Sequence, residues 1–183
     1  MDKNHFDKDI SKLLSYVLRH NPSHFHLEIS EDGWVDVVQI LRGFEEKNIS
    51  LQDEDLARIV RENNKQRFAF SNDGLKIRAN QGHSIPVNLN LKPIEPPEFL
   101  YHGTSITNLE SIQETGIQRM NRHHVHLSEN FQTAFAVGSR HGIPVVLQVF
   151  SQKMYSEGKV FFQSKNKVWL TEFVSSEYFQ VLT

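Results

Sequence analysis

The chain has 183 residues, 38% of them hydrophobic and 23% charged, which suits one compact domain or two small lobes and excludes a disordered tail. Twenty Lys and Arg against twenty-two Asp and Glu leave a net charge of −2, so no global positive field draws in nucleic acid and any phosphate site must be local. With no cysteine, a disulfide scaffold, a cysteine nucleophile and thiolate metal ligands are excluded, and a cytoplasmic setting is expected. The opening MDKNHFDKDI holds no apolar run of signal-peptide length, and no later stretch approaches the ~18–20 apolar residues of a membrane span, so no membrane partner is expected.

Ile10, Leu13, Leu14, Val17 and Leu18 share one face at helical spacing, and Asn21-Pro22 ends that helix. Asp36 is placed to cap a second helix with Val37, Ile40, Leu41 and Phe44 inward. Ser50-Leu51-Gln52-Asp53 starts a third with Leu56, Ile59 and Val60 inward. Residues 67–70 (RFAF) and 75–78 (LKIR) then flank the turn Ser71-Asn72-Asp73-Gly74, which predicts a hairpin. Helices followed by a hairpin describe a small winged-helix-like lobe over 1–85. Four of the six prolines, Pro86, Pro93, Pro96 and Pro97, mark 86–98 as a linker. The two sides carry 12 Lys and Arg against 14 Asp and Glu, and 8 against 8, so neither is a basic module.

Beyond the linker, 99–183 reads as a mostly β lobe. Strand-like FLYHGT precedes a helix opened by the capping box Thr107-Asn108-Leu109-Glu110 and closed near Gly116. Strand-like HHVHLS, a helix through Ala134 and Val137, and strands over 144–150, 159–162, 168–171 and 178–182 complete it. The fold class is therefore α+β.

Several of the ten histidines adjoin arginine: Arg19-His20, Arg122-His123-His124 and Arg140-His141. Such clusters suit anion handling, although a cation at a helix C-terminus also gains ~0.3–1 kcal/mol from the macrodipole with no ligand. Arg67 reads equally as an edge charge. His124 and His126 alternate on one strand face and, with His102 or His83, have the makings of a three-histidine metal site. No HExxH motif accompanies them, and no metal is expected. His102-Gly103-Thr104 ends a strand where glycine lets backbone approach a ligand. GxGxxG and Walker loops are absent.

In order and spacing, LLSYVLRHNP, GWVDV, NKQRFAFSNDGLKIRANQGHS, FLYHGT, HVHLS, VGSRHGIPVVLQV and VWLT resemble the RNA 2′-phosphotransferase family, the NAD-dependent tRNA 2′-phosphotransferases and their bacterial relatives. The resemblance runs from about Ser11 to the C-terminus. It implies a winged-helix-like lobe followed by an ADP-ribosyltransferase-like lobe, with NAD consumed as co-substrate and RNA bearing an internal 2′-phosphate as partner. In the implied reaction the 2′-phosphate attacks the nicotinamide-ribose C1″ and expels nicotinamide. The ribose 2″-hydroxyl then attacks phosphorus, leaving 2′-hydroxyl RNA and ADP-ribose 1″,2″-cyclic phosphate. The family's catalytic tetrad falls on Arg19, His20, Arg67 and Arg140. NAD contacts fall on His102, Gly103, Thr104, His126 and Ser128, and substrate contacts on Asn80, Gln81 and His83. No obligate protein partner is implied.

Arginine suits this chemistry because its fixed, always-charged fork matches phosphate oxygens in pairs. The first step needs no general base, since a phosphate monoester is already a nucleophile. In the second a hydroxyl loses a proton, and His20 is either the transfer group or a phosphate binder. Two other readings stay open: an ADP-ribosyltransferase that caps 5′-phosphorylated nucleic-acid ends, and a non-enzymatic nucleic-acid or NAD-binding module.

Overall fold

In the computed structural model, which describes residues 3–182, the chain divides into two compact units, Met1–Asn90 and Leu91–Thr183. Helices and sheets are mixed in both. The proline-rich stretch 86–98 is shared between them. The Asn88 N–H donates to the Glu31 carbonyl at 2.7 Å within the first unit, and Pro93 bridges to Phe162 within the second.

The first unit runs α1 (Lys3–Arg19), β1 (Val35–Asp36), α2 (Val37–Glu46), α3 (Asp53–Arg61), β2 (Phe68–Phe70) and β3 (Lys76–Ala79). Helical spacing in α1 turns Ile10, Leu14, Val17 and Leu18 into a core completed by Ile40, Phe44, Leu56, Ile59 and Ile77. Arg58 of α3 pairs with Asp7 of α1 and with Asp55 at 2.9 Å, tying the two helices together at their rim. Asp36 lies at the α2 N-cap with its carboxylate 4.0 Å from the Lys76 ammonium. The predicted hairpin forms, pairing Phe68 with Ala79 and Phe70 with Ile77. Its turn is locked by Asp73, whose Oδ1 accepts from Ser71 Oγ at 2.6 Å and Leu75 N–H at 3.0 Å. GWVDV adds a strand that periodicity does not reveal: β1 is two residues long and pairs Val35 with Ile77, giving the antiparallel order β1-β3-β2.

The second unit runs β4 (Leu100–Ser105), α4 (Ile106–Thr115), β5 (Val125–Leu127), α5 (Phe131–Gly138), β6 (Pro144–Val149), α6 (Ser151–Ser156), β7 (Phe161–Gln163), β8 (Trp169–Thr171) and β9 (Phe179–Val181). They make two antiparallel three-stranded sheets, β4-β6-β9 and β5-β8-β7. Leu100 and Leu147 from the first sheet join Val125, Leu127, Phe161 and Trp169 from the second in one core. A bridge between Tyr101 and Ser128 links β4 to the residue directly after β5.

The expected capping box at Thr107 is displaced. Here α4 begins at Ile106 with Ser105 as N-cap, and the Thr107 and Ser105 hydroxyls bond each other at 2.7 Å. Similarly, α3 starts at Asp53 behind Gln52 rather than from Ser50. The short α6 is an addition, held by burial of Met154 and by Ser151 Oγ donating to the Pro97 carbonyl at 2.6 Å. No helix among the described residues is long and apolar enough to cross a membrane.

Candidate active site

In the first unit the segment after β3 folds back over the end of α1. The Arg19 carbonyl, left without a helical donor, accepts from the Ser84 N–H at 2.9 Å, which supplies one of the missing helix-end partners. Gly82, at φ +87°, lays its Cα against the Arg19 guanidinium; a Cβ there would stand 3.6 Å from Cζ. The turn needs glycine for its backbone angle rather than for space. His20 is exposed, and its Nδ1 lies 2.9 Å from Ser84 Oγ.

Arg67 enters the same cluster from the other side. It is half-buried just before β2, and its carbonyl accepts from the Asn80 N–H at 2.8 Å. Asn63 Oδ1 receives its backbone N–H at 3.4 Å and its Nη1 at 3.5 Å. In turn, Asn63 Nδ2 donates to Ser11 Oγ of α1 at 3.0 Å. Within residues 80–84, therefore, one strand end touches Arg67, Arg19 and His20 in succession. Asn80 is 7% exposed. Its Nδ2 donates to the Gln66 carbonyl at 2.6 Å, which fixes the amide, and its buried Oδ1 has no partner among the described residues. A buried acceptor left unpaired costs ~1–3 kcal/mol, and a ligand hydroxyl would relieve it. Gln81 is half-buried. His83 behaves differently: it is 2% exposed, with its ring beneath the Gly33 turn, where Nε2 lies 3.7 Å from a Cβ built on Gly33. It supports the segment from inside.

In the second unit, β4 and β5 bring the two histidine motifs together. His102 is half-buried, and its Nδ1 lies 3.1 Å from the His126 carbonyl. A carbonyl only accepts, so Nδ1 carries the proton and donates, leaving Nε2 as an acceptor. Burial pushes the His102 imidazole below its usual value and the nearby Arg122 charge adds to this, while the bond to His126 opposes both. Arg122 Nη1 sits 2.8 Å from His126 Nδ1. The Thr104 hydroxyl is buried and accepts from Asn108 Nδ2 at 3.4 Å. Ser128 is half-buried and exchanges backbone bonds with Tyr101 at 2.8 and 2.9 Å.

Gly103 has a packing task that the sequence reading did not foresee. A Cβ there would fall 1.8 Å from the Ala134 carbonyl oxygen, and one on Gly138 would fall 2.5 Å from the Thr104 carbonyl oxygen. Paired glycines thus seat α5 directly on β4. Arg140 follows α5, exposed, its N–H 3.2 Å from the Val137 carbonyl.

One residue escaped the sequence reading, and a second was seen there only as part of a basic cluster. Glu129, directly after the His-x-Ser strand, accepts on one oxygen from Trp169 Nε1 and Gln163 Nε2, each at 2.9 Å. The WLT strand carries no acid, yet a carboxylate is held against it. The second is Arg122, legible within the cluster Arg122-His123-His124, though its partner His126 was not. Elsewhere on this unit, Arg119, His123, His124, Lys159, Glu172 and Glu177 line a cleft of about 840 Å³, where two cations face two carboxylates. Among the described residues no group of three His, Asp or Glu is placed to hold a metal.

Comparison with known proteins places the chain. The family model described as RNA 2′-phosphotransferase, Tpt1 / KptA family, matches residues 5–173. A relative from Flavobacterium johnsoniae is 49% identical over 173 residues, 94% of this chain and 95% of its own length. One from Acaryochloris marina is 45% identical over 172 residues, again 94% and 95%. One from Fusobacterium nucleatum is 43% identical over 173 residues, 94% and 97%. All three bear the name "Probable RNA 2'-phosphotransferase". Matched along nearly its whole length by the family model and by relatives of its own size, the chain belongs to the RNA 2′-phosphotransferase, Tpt1 / KptA family.

Proposed function

We propose that the protein removes an internal 2′-phosphate from RNA at the expense of NAD, through an ADP-ribosylated 2′-phospho-RNA, yielding 2′-hydroxyl RNA, nicotinamide and ADP-ribose 1″,2″-cyclic phosphate. The observation that carries this reading is the packing of residues 80–84 against Arg67, Arg19 and His20. It gathers the Arg19 guanidinium, the His20 imidazole, the Arg67 backbone and a buried amide acceptor along one short segment of the first unit. That combination suits a phosphate on a sugar.

Arg19 and Arg67 hold the phosphate in this reading, each guanidinium pairing with its oxygens and orienting the attacking one. The Ser84 hydroxyl steadies the Nδ1 edge of His20, so proton transfer passes through Nε2. Asn80 Oδ1 accepts from a hydroxyl of the RNA sugar and Gln81 extends the contact. His83 supports the segment from beneath. Arg140 joins this set through the resemblance alone. The first unit, three helices and a three-stranded sheet, serves as the winged-helix-like lobe, and the second, with its two small sheets, as the ADP-ribosyltransferase-like lobe.

When bound, NAD supplies the electrophilic ribose carbon and a neutral leaving group. The second unit's donors and acceptors fit it: His102 is held neutral with an acceptor at Nε2, as a ribose hydroxyl requires. His126 on β5, Ser128 directly after it, and Gly103 and Thr104 on β4 complete the set in this reading. Glu129 is the acid that strand β8 lacks, and it is engaged with Trp169.

The test uses a short RNA with one radiolabelled internal 2′-phosphate, with and without NAD. Label released only with NAD, as ADP-ribose cyclic phosphate, is the expected result. Label retained on an ADP-ribosylated RNA would replace this reading by modification without release, and no transfer at all would overturn it.

A further inference from the structure

We propose that Tyr16 forms a nucleobase subsite beside the phosphate cluster, its ring stacking on the base of the nucleotide that carries the 2′-phosphate. The inference rests on the reading of Arg19, His20 and residues 80–84 as the phosphate site.

Tyr16 lies in the last turn of α1, three residues before Arg19 and four before His20, the spacing that puts side chains on one side of a helix. That turn is closed, since the Tyr16 carbonyl accepts from the His20 N–H at 2.9 Å and from the Asn21 N–H at 3.0 Å. Ring and phosphate cluster therefore stand a fixed turn apart, ~5 Å along the axis. A single nucleotide has the same short reach, because its 2′-phosphate and its base leave adjacent carbons of one sugar.

The ring is both exposed and held. Tyr16 keeps 42% of its surface in solvent, while its hydroxyl lies 2.7 Å from Asn21 Nδ2 and Asn21 Oδ1 accepts from Ser23 Oγ at 2.6 Å. Its ring meets His24 at 5.8 Å and 72°, and His24 stacks on Phe25 at 5.5 Å and 22°. Phe25 is buried and meets Phe44 at 4.9 Å. A row of four rings thus braces Tyr16 from the core outward, and the edge-on contact with His24 covers at most one face of the phenol. A side chain ordered before binding loses little entropy on binding, which is what makes a braced tyrosine an effective contact. Every base has a π face, so such a platform accepts any of the four. Support of the helix end would depend on the hydroxyl and its Asn21 contact, whereas stacking depends on the ring alone, and this separates the two roles.

The test measures dissociation constants by fluorescence anisotropy, without NAD, for the full chain and a labelled short RNA with one internal 2′-phosphate. Three ligands are compared: the intact RNA, the same RNA with hydrogen in place of the base on the 2′-phosphorylated nucleotide, and the RNA lacking the 2′-phosphate. The wild-type chain should bind the first about tenfold more tightly than the second, the effect of one base–aromatic stack. Tyr16→Leu should bring that ratio close to one, and Tyr16→Phe, which loses the hydroxyl and keeps the ring, should preserve it. Equal wild-type affinity for the first two ligands overturns the proposal without recourse to any variant. An unchanged ratio in Tyr16→Leu, or a lost one in Tyr16→Phe, overturns it as well. If removing the 2′-phosphate costs no affinity, the phosphate reading fails and takes the subsite with it; affinity that depends on the phosphate but not on the base removes the subsite alone.

Discussion

At the residue scale, the chemistry concentrates where a side chain's partner dictates what its remaining edge can do. Arg19 and Arg67 are half-buried, each anchored through its backbone to residues 80–84, and in the proposed reaction both guanidiniums hold the phosphate. Arg19→Ala or Arg67→Ala should lower kcat/KM for 2′-phosphate transfer by about 10²–10³-fold, the loss typical of one pre-aimed charge donor. Lysine should recover little, because a point charge lacks the paired fork. Steady-state kinetics on the labelled RNA checks both. Ser84→Ala should cut turnover roughly 3–10-fold, one net hydrogen bond, with KM for the RNA little changed, and Ser84→Thr should restore it. Unchanged turnover in Ser84→Ala would remove Ser84 from the support of His20.

At the element scale, the placing of α5 on β4 controls the candidate NAD face. Cβ atoms are missing at both contact points, and α5 sits close enough that backbone meets backbone. Gly103→Ala forces a methyl into the Ala134 carbonyl, where no flexible side chain can yield. Overpacking of this kind costs about 1–3 kcal/mol or more. Thermal unfolding should show Gly103→Ala and Gly138→Ala both destabilised, since each meets backbone on the partner element. A stable Gly103→Ala variant would mean that α5 does not sit as described. The hairpin turn offers a contrast in pH: Ser71 donation and the Leu75 N–H hold Asp73 below the usual carboxylate range. Its contribution is present above that range and lost as pH falls through the folded value.

At the scale of the whole molecule, each unit has its own core, and the second contains two histidines whose burial disfavours the charged form. Burial is the largest cause for both His102 and His124; neighbouring positive groups add to it and are opposed by the His126 bond and by Glu172 respectively. Unfolded, these rings take up protons near pH ~6.5; folded, they resist. Stability is therefore fully present above that pH and declines as the pH drops below it, until the folded rings titrate. Calorimetry between pH 7.5 and 5.5 should show the melting temperature falling with acidity, and the double variant His102→Gln, His124→Gln should flatten that dependence. An equally steep fall in the double variant would assign it to other groups.

Periodicity and turn chemistry alone determined the long elements. The apolar stripe of α1, the inward faces of α2 and α3, the Asp-Gly hairpin and the Gly116 stop of α4 all rest on local rules, and the motif order pointed to the family. What local rules do not reach is pairing at a distance. Strand β1 exists because Val35 meets Ile77, forty-two residues on, and two residues carry no period of their own. The start of α4 moved because Ser105 and Thr107 satisfied each other. Most of the candidate site is of this second kind. Arg67 and Arg19 read as ordinary charges until residues 80–84 fold across both. Gly103 takes on a second task once α5 lands on it, and His83, expected among the substrate contacts, packs its ring beneath the Gly33 turn. The Nδ1 proton of His102 is held by the His126 carbonyl, a partner that only the apposition of β4 and β5 supplies. Residue types set which chemistry was available, and tertiary packing decided which atoms face a ligand, because the partner that fixes a proton or leaves an acceptor unpaired comes from a distant part of the chain.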